Sequence, residues 1–594
     1  MIVAIDFETT YIKGVRDISS MGATAYLRHP DTNIYLVSFW VDEFTHWVGP
    51  PEKAPWSVLE DADTVVIHNA AFDLRVLREL RRRGLPNIPE VEHKTVCSAN
   101  LCAYLQLPRS LAGAAEVVLG IRPDKSVRDN MNKKTWADLD DWQKREVEEY
   151  ALKDSEICRR LYAKLIDLWP AEERAISTHT IKMCMEGVAV DRANIEVARC
   201  GLKQAIFQAQ QDIPWAGELD AKGKPIPLMS PKAMRRACEE VGIEPPSSVA
   251  ANNDIFQKWA ETNIDKAPFI PALQKIRSYN RTLKVVEAME VREIGGVMSY
   301  DLKYCGAQHT ARWSGDSGLN VHNFPRGKVA NVDLRSLLIP RPGHKFVTCD
   351  LSQVEARVLL WLAGDEGMLQ MLRDGYDLYE AHARATMGYD DPRPLKEGNP
   401  KMRHLAKARV LGLGFGCGDK KFVVVAKSLA GIDVDPQESK QIVKDWRARN
   451  TAIVRLWRTL ENGLKASGRK KETYEVDLPA GDTIRYFDVA QGDREWSGRV
   501  VRNDPRRKNL YGGLLAENAT QRTARNVLRD AVIQLDSEGF RVVLHVHDEV
   551  VVEVPADEAE QAQARIEGIM STAPEWAKGL PLAAESEVRD CYGK

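Results

Sequence analysis

The sequence predicts an α/β protein of several domains, and three observations carry that expectation. At 594 residues the chain exceeds what one hydrophobic core serves, which divides it into about three to five units. Apolar runs rich in β-branched residues, MIVAIDFE at the amino terminus, HKFVTCD at 344–350 and RVVLHVHDEVVVEV at 541–554, read as buried strands with carboxylates at or beside their ends. Long stretches between them read as helical. The composition is that of a globular protein, 44% hydrophobic and 28% charged. Because 83 basic residues nearly cancel 85 acidic ones, the chain is not coated in positive charge, although a local basic cleft is still allowed. Ten scattered cysteines without a CxxC pair fit small buried residues in a reducing compartment. No run of 18 apolar residues occurs, so a cytoplasmic location with no membrane partner is expected.

In MIVAIDFETT the period of a strand puts Asp6 and Glu8 on one face. TVVIHNAAFDLRVLREL then reads as a strand over Val65 to Ile67, a polar turn at His68 and Asn69, and a helix from near Phe72 and Asp73. WQKREVEEYALKDSEICRRLY is helical, with Tyr150 and Asp154 at i and i+4 on one face. Taken singly each has a bland reading, since DxE arises by chance and acidic helix residues usually face solvent. In order and spacing, however, DFET, NAAFD and YALKD resemble the three motifs of the DEDD superfamily of 3′–5′ exonucleases, in the subgroup with a tyrosine in the third motif. That resemblance, over about residues 1–170, implies that Asp6, Glu8, Asp73 and Asp154 hold two Mg²⁺ ions and that Tyr150 orients the attacking water.

Beyond Trp169-Pro170 the chain reads as largely helical. SPKAMRRACEEVG at 230–242 has a serine N-cap and a proline at the first helical position. A longer helix over about 271–293 carries Lys275, Arg277, Arg281 and Lys284, read either as a solvated face or as phosphate-binding cations.

The run at 344–350 ends in Asp350 and passes through Ser352 and Gln353 into a helix carrying Glu355 and Arg357. His547, Asp548 and Glu549 fall at a tight turn between two apolar runs, as a polar hairpin tip or as a cation site whose carboxylates repel each other until the ion arrives. Between these segments, Arg403, Lys407, Leu411 and Phe415 recur every four residues, which on a helix makes one stripe. Its bland reading is an amphipathic helix with Leu411 and Phe415 in the core.

DLSQVEAR, KMRHLAKARVLGLGFG and VHDEV resemble motifs A, B and C of the family A DNA polymerases, and HTARWSGDSGLNVHNFPRG and ENATQRTARNVLRDA resemble flanking elements. The chain is thereby identified as a member of that family. The implied fold is an RNase H-like exonuclease domain at 1–170 followed by a right-hand polymerase, with thumb at 171–300, palm at 301–364 and 471–594, and fingers at 365–470. The implied activity is template-directed addition of deoxynucleoside monophosphates to a primer 3′-OH with 3′–5′ proofreading. Asp350 and Asp548 would hold two Mg²⁺ ions, for which Mn²⁺ could substitute, with Glu549 secondary. Arg403 and Lys407 would meet the triphosphate and Lys407 would protonate the pyrophosphate; Leu411 and Phe415 would face the base and sugar. Glu355 would exclude a 2′-hydroxyl, and Gln353, Arg312, Gln521 and His547 would contact nucleotide, primer or template. Three positions depart from the family pattern: Leu411 stands in place of an aromatic residue, Phe415 in place of tyrosine and His404 in place of arginine.

YEVDLPAGDTIRYFDV reads as a β-hairpin, followed by a basic stretch from Arg499 to Lys508 with no assigned role. The early start of the exonuclease motifs leads to the expectation of no 5′ nuclease domain, a layout resembling phage or prophage replicative polymerases. Primer-template DNA and dNTPs are the implied partners of a monomer; replisome partners such as a helicase, a primase or a single-strand binding protein carry no signature in the sequence.

Overall fold

In the computed structural model, which describes residues 1–593 except 124–126, 128, 129, 250–253 and 494, the amino-terminal run forms the centre of a sheet. Strands β1 (Ile2–Thr9), β2 (Ile34–Trp40), β3 (His46–Gly49), β4 (Thr64–Ile67) and β5 (Thr95–Cys97) lie in the order β3-β2-β1-β4-β5. β1 runs antiparallel to β2 and parallel to β4. Val3, Ala4 and Ile5 are all buried, because helices cover both faces and remove the alternation of a half-exposed strand. Helix α1 (Ala70–Arg82) follows β4 directly. Helix α2 (Asp141–Leu165) starts from an Asp140 and Gln143 capping box and lies on β1 and β2, where the Ser38 hydroxyl donates to the Ala151 carbonyl at 2.9 Å.

Three longer helices follow, α3 (Ala171–Glu186), α4 (Arg192–Gln210) and α5 (Phe269–Arg292), and α4 packs along α5. Between α4 and α5, Ser230 caps the helix Pro231–Glu240 as its sequence predicts, accepting from the Ala233 amide at 3.3 Å. Trp215, Met234, Phe256, Phe269 and Ile276 make a separate apolar core there. One expectation needs correcting. Arg277 turns inward, its guanidinium 3.7 Å from the Phe256 ring centre and donating to the Val249 carbonyl, whereas Lys275, Arg281 and Lys284 are exposed. Burial of the aromatic face draws the arginine in through a cation–π contact, so it cannot serve as a surface phosphate contact.

The carboxy-terminal part begins with the hairpin β6 (Leu302–Ala307) and β7 (Arg312–Gly315). Next come strand β8 (His344–Leu351) and helices α6 (Val354–Ala363), α7 (Leu378–Met387), α8 (Pro400–Leu413) and α9 (Thr451–Lys470). The predicted hairpin is part of a four-stranded antiparallel sheet, β9 (Tyr474–Asp477), β10 (Thr483–Gln491), β11 (Trp496–Arg499) and β12 (Lys508–Leu510). Its apolar face, with Tyr474, Ile484 and Tyr486, packs on Leu464 of α9 and on Leu515 and Ala519 of α10 (Gly512–Ser537). The basic stretch is engaged internally: Arg499 pairs with Asp488, Arg506 with Asp504, and Arg507 donates to the Asp488 and Ser497 carbonyls.

Strands β13 (Arg541–Val546) and β14 (Glu549–Pro555), helix α11 (Ala559–Ser571) and strand β15 (Ala584–Arg589) complete the chain. Their sheet has the order β13-β14-β8-β15, antiparallel throughout. The largest apolar core joins this sheet and α10 to Leu101, Ala115, Ile157 and Leu161 of the amino-terminal part.

Glu173 on α3 is fully buried and accepts from Arg525 and Arg529 of α10 and from the Tyr304 hydroxyl. Burial alone would raise this carboxyl, but the two guanidinium groups outweigh it and hold the pKa at about 2. Its contribution to stability is therefore present above the ordinary value of 4.5 and lost as pH falls from there towards about 2. Glu173→Gln leaves Arg525 buried without a counter-charge, and urea unfolding at neutral pH is expected to show a loss of about 3–5 kcal/mol.

Candidate functional site

Two acidic sites form at strand ends. The first lies where β4, parallel to β1, finishes opposite Ile5 while β1 runs on through Asp6 and Glu8. Asp6 is paired in register with Ser38, and Ser38 touches Ala151 and Ser155 of α2, so Asp6 and Glu8 lie on the face of β1 that α2 covers. Tyr150 and Asp154 of α2 and Asp73, in the first turn of α1, face the same space. All five predicted residues line one open cleft of about 730 Å³, together with His68, Arg109 and Asp316. Asp73 is buried, and burial followed by the Glu8 charge pushes its carboxyl well above the usual range. Tyr150 is likewise raised, by burial and then by Asp154 and Glu8. His68, spanning Ser98 and the Arg109 carbonyl, is held neutral by burial, with its pKa down at about 4.

The second site lies at the end of β8. Asp350 pairs in register with Glu549 of β14, and the Leu351 amide donates to the Asp548 carbonyl at 3.1 Å, which fixes the β13–β14 turn against this strand end. The structure sharpens the predicted triplet: His547 and Asp548 make the turn, and Glu549 begins the next strand. Asp350 Oδ1 is buried with no hydrogen-bond partner. Burial, then Asp548, then Glu549 push its carboxyl up to about 7. Asp548 is raised too, by burial and by Glu355 among its neighbours. Glu549 faces a different set of groups. Its Oε2 accepts from the Tyr592 hydroxyl at 2.8 Å and lies 3.8 Å from Arg335.

Beside this strand end, Arg312, Glu355, Gln521, His547 and Asp548 line a cavity of about 200 Å³. Arg312 of β7 is ion-paired with Glu355 of α6. Three non-glycine residues with left-handed backbone adjoin or form the site: Ala311 (φ 53) before Arg312, Gln353 (φ 50) at the start of α6, and His547 (φ 59) before Asp548. Such conformations cost about 1–2 kcal/mol each and persist where surrounding structure imposes them. Arg357 braces the link between β8 and α6, donating to the Ser352 and Pro581 carbonyls at 2.9 and 3.0 Å.

Arg403, Lys407 and Leu411 share one face of α8, outside the lining of that cavity. Arg403 lies 3.5 Å from Asp377 and over the Tyr379 ring, and Leu411 is exposed. The predicted stripe breaks at its last member. α8 ends at Leu413, so Phe415 sits in a turn and not on the helix. The cause is close packing: the Trp457 indole donates to the Gly414 carbonyl, Gly416 has φ +82, and a side chain on Gly513 would strike the Phe415 carbonyl.

Among the described residues no three His, Cys, Asp or Glu side chains converge into a closed metal cage. Both sites still fit cations held partly by substrate oxygens and water, as Mg²⁺ commonly is. A buried carboxylate oxygen without a hydrogen-bond partner and carboxyl groups crowded together suit a positive charge. Sequence reasoning missed Tyr592, Arg335, His322 and His545. His545 lies fully buried behind the turn, 4.3 Å from the Trp313 ring and 5.8 Å from His322, which in turn lies 5.9 Å from His547. Its spacing from His547 by two residues was the available signal.

A family model described as DNA polymerase family A matches residues 219–594. Across its full length the chain is 26% identical to the DNA polymerase of Bacillus phage SP02, covering 99% of that protein. It is 25% identical to DNA polymerase I of Aquifex aeolicus over 89% of this chain and 88% of that one. Against the thermostable DNA polymerase I of Thermus filiformis the identity is 25%, over 72% of this chain and 48% of that protein. A solved structure of the POL domain of Pol1 from M. smegmatis, in complex with DNA primer-template and dNTP, has the same fold, with a TM-score of 0.67, 17% identity and coverage of 99% of this chain and 95% of that chain.

Proposed function

This chain belongs to DNA polymerase family A and is a DNA-directed DNA polymerase, and from that premise we propose that Asp350 and Asp548 form its catalytic centre and that the amino-terminal cleft excises mispaired 3′ ends. Family A polymerases are metal-dependent; here Mg²⁺ is the ion proposed, two per site, with Mn²⁺ as a substitute. The observation that carries the reading is the buried, unpartnered Asp350 Oδ1 beside Asp548 at the end of a strand.

Bound there, paired Mg²⁺ ions would make the primer 3′ oxygen nucleophilic and stabilise the pyrophosphate. Asp350 and Asp548 hold that charge in place, and Tyr592 and Arg335 anchor Glu549, so that Glu549 acts on the centre through Asp350. Arg403 and Lys407 present positive charge along α8 to the triphosphate, and Lys407 Nζ supplies the proton to the leaving pyrophosphate. Leu411 offers an apolar, non-aromatic surface to the nucleotide, with Phe415 beyond the helix end. Glu355, fixed by Arg312, stands where a 2′-hydroxyl would crowd it, while Arg312, Gln353, Gln521 and His547 contact nucleotide and primer-template. In the other cleft Asp6, Glu8, Asp73 and Asp154 hold the metal charge and Tyr150 orients water for removal of the terminal nucleotide. Thumb, palm and fingers are proposed at the boundaries expected from the sequence, with phage DNA replication in the host cytoplasm as the setting. Among the described residues no helix is long and apolar enough to cross a membrane.

The test is a primer-extension gel with four dNTPs, Mg²⁺ and a primer carrying one mispaired 3′ nucleotide. Trimming followed by extension supports both sites, and extension without trimming withdraws the exonuclease. A second prediction concerns pH. With its pKa raised from 3.8 to about 7, Asp350 makes the metal-free fold less stable as pH rises between those values. Protons then compete with Mg²⁺, and the Mg²⁺ concentration for half-maximal extension is expected to rise up to about tenfold per unit below that pKa.

A further inference from the structure

The helix α5, the mouth of the amino-terminal cleft and the primer-facing strand β7 meet at one side chain. Arg292, the last residue of α5, is 3% exposed. Its guanidinium donates to the Ala288 carbonyl of its own helix at 3.1 Å, to the Ser19 carbonyl at 3.3 Å, and to the Ser317 carbonyl. Ser19 borders the cleft that holds Asp6 and Asp154. Ser317 belongs to the turn after β7, the strand that carries Arg312 at its other end, and the neighbouring Asp316 lines the same cleft.

Glycines on both sides of this junction leave no free space. A Cβ on Gly22 would lie 2.8 Å from Arg292 Nε. One on Gly318, at φ +78, would strike the Ser19 carbonyl oxygen. A second link runs alongside: Arg75 of α1, two residues beyond Asp73, pairs with Asp301 at 2.8 Å, and the Asp301 carbonyl accepts from the Asp316 amide at 3.0 Å. The Arg292 contacts are to carbonyls, so its buried charge is solvated only while all three segments stay docked. α5 has 24 residues and spans ~36 Å, which makes it a lever with Arg292 at its base.

We propose that Arg292 is a positioning residue that ties the tilt of α5 to the mouth of the amino-terminal cleft and to β7, and thereby sets how a primer end divides between extension and excision. The inference rests on the exonuclease reading of that cleft. Tilting α5 on bound duplex moves the guanidinium, and the Ser19 and Ser317 carbonyls must follow it or leave the charge unsolvated. A mispaired end that loosens the grip at Arg312 is in this way coupled to a cleft mouth that receives it.

Three rates of the full-length protein test this: digestion of a single-stranded 3′ end, single-nucleotide addition to a matched primer, and excision relative to extension on a mispaired primer. In Arg292→Gln the first two are expected to stay within about twofold of the parent while the excision-to-extension ratio on the mispaired primer falls about fivefold or more. Arg292→Lys, which keeps the charge without the planar fork, recovers part of that ratio. Gly318→Ala wedges the same junction while leaving the arginine in place, and is expected to shift the ratio in the same direction; it decides the question if Arg292→Gln does not fold. An unchanged ratio in a folded variant, or a fall of single-strand digestion and matched addition well beyond about twofold, overturns the proposal. Asp6→Ala separates the underlying reading: if single-strand digestion survives it, the cleft is not an exonuclease and the coupling falls with it.

Discussion

Asp548→Ala is expected to reduce primer extension by at least about a thousandfold while digestion of a single-stranded 3′ end stays within about twofold of the parent. The turn that carries Asp548 is fixed by its own backbone, through the Leu351 amide, so losing the carboxylate leaves the turn in place. Folding is not the weak point. Asp548 is one of the charges that push Asp350 up to about 7, so its removal relieves a repulsion, and thermal stability without metal is expected to hold or rise. The measurement is a single-turnover extension assay beside a thermal melt. Near-normal extension by a folded Asp548→Ala would remove the turn from the catalytic centre.

The reciprocal experiment is Asp6→Ala, with single-strand digestion down by at least about a thousandfold and matched-primer extension within about twofold. Asp6 lies on the α2-facing side of β1, in the cleft that Tyr150, Asp154, Glu8 and Asp73 share. Its replacement touches no residue of the β8 strand end. A mispaired primer given to this variant should stall or be extended with its error retained, which a sequencing readout of the product detects. Loss of extension alongside digestion would instead mean that the two clefts do not work separately.

The parts of this molecule legible in the sequence are those with local period. MIVAIDFE, HKFVTCD and RVVLHVHDEVVVEV are apolar because helices and neighbouring strands cover them, and Asp350 and Asp548 stand where strands β8 and β13 end. Ser230 and Pro231 announce a helix start for the same local reason. What failed depended on distant partners. Phe415 keeps the four-residue spacing but leaves the helix, because Trp457 and Gly513, far along the chain, press on its end. Arg277 has the spacing of a surface cation and is drawn inward by Phe256. The place of Glu549 likewise depends on a residue distant in sequence, Tyr592, whose hydroxyl donates to its Oε2. The family motifs supplied the order of the parts; the contacts between those parts have no periodicity to read.

Gln106 gives the joint between the two halves its particular character. Its buried side-chain amide donates to the Arg485 and Val500 carbonyls at 2.8 and 2.7 Å and accepts from the Arg485 amide at 2.8 Å, while its own carbonyl accepts from the Arg502 amide at 2.9 Å. Leu101, Ala115, Ile157 and Leu161 meanwhile share the largest core with the sheet that holds Asp350. A gene for this chain could not discard the first 170 codons without exposing that shared core to water and unpairing those backbone groups. The amino-terminal part is thereby retained as a share of the polymerase's own folding, independent of the chemistry of its cleft.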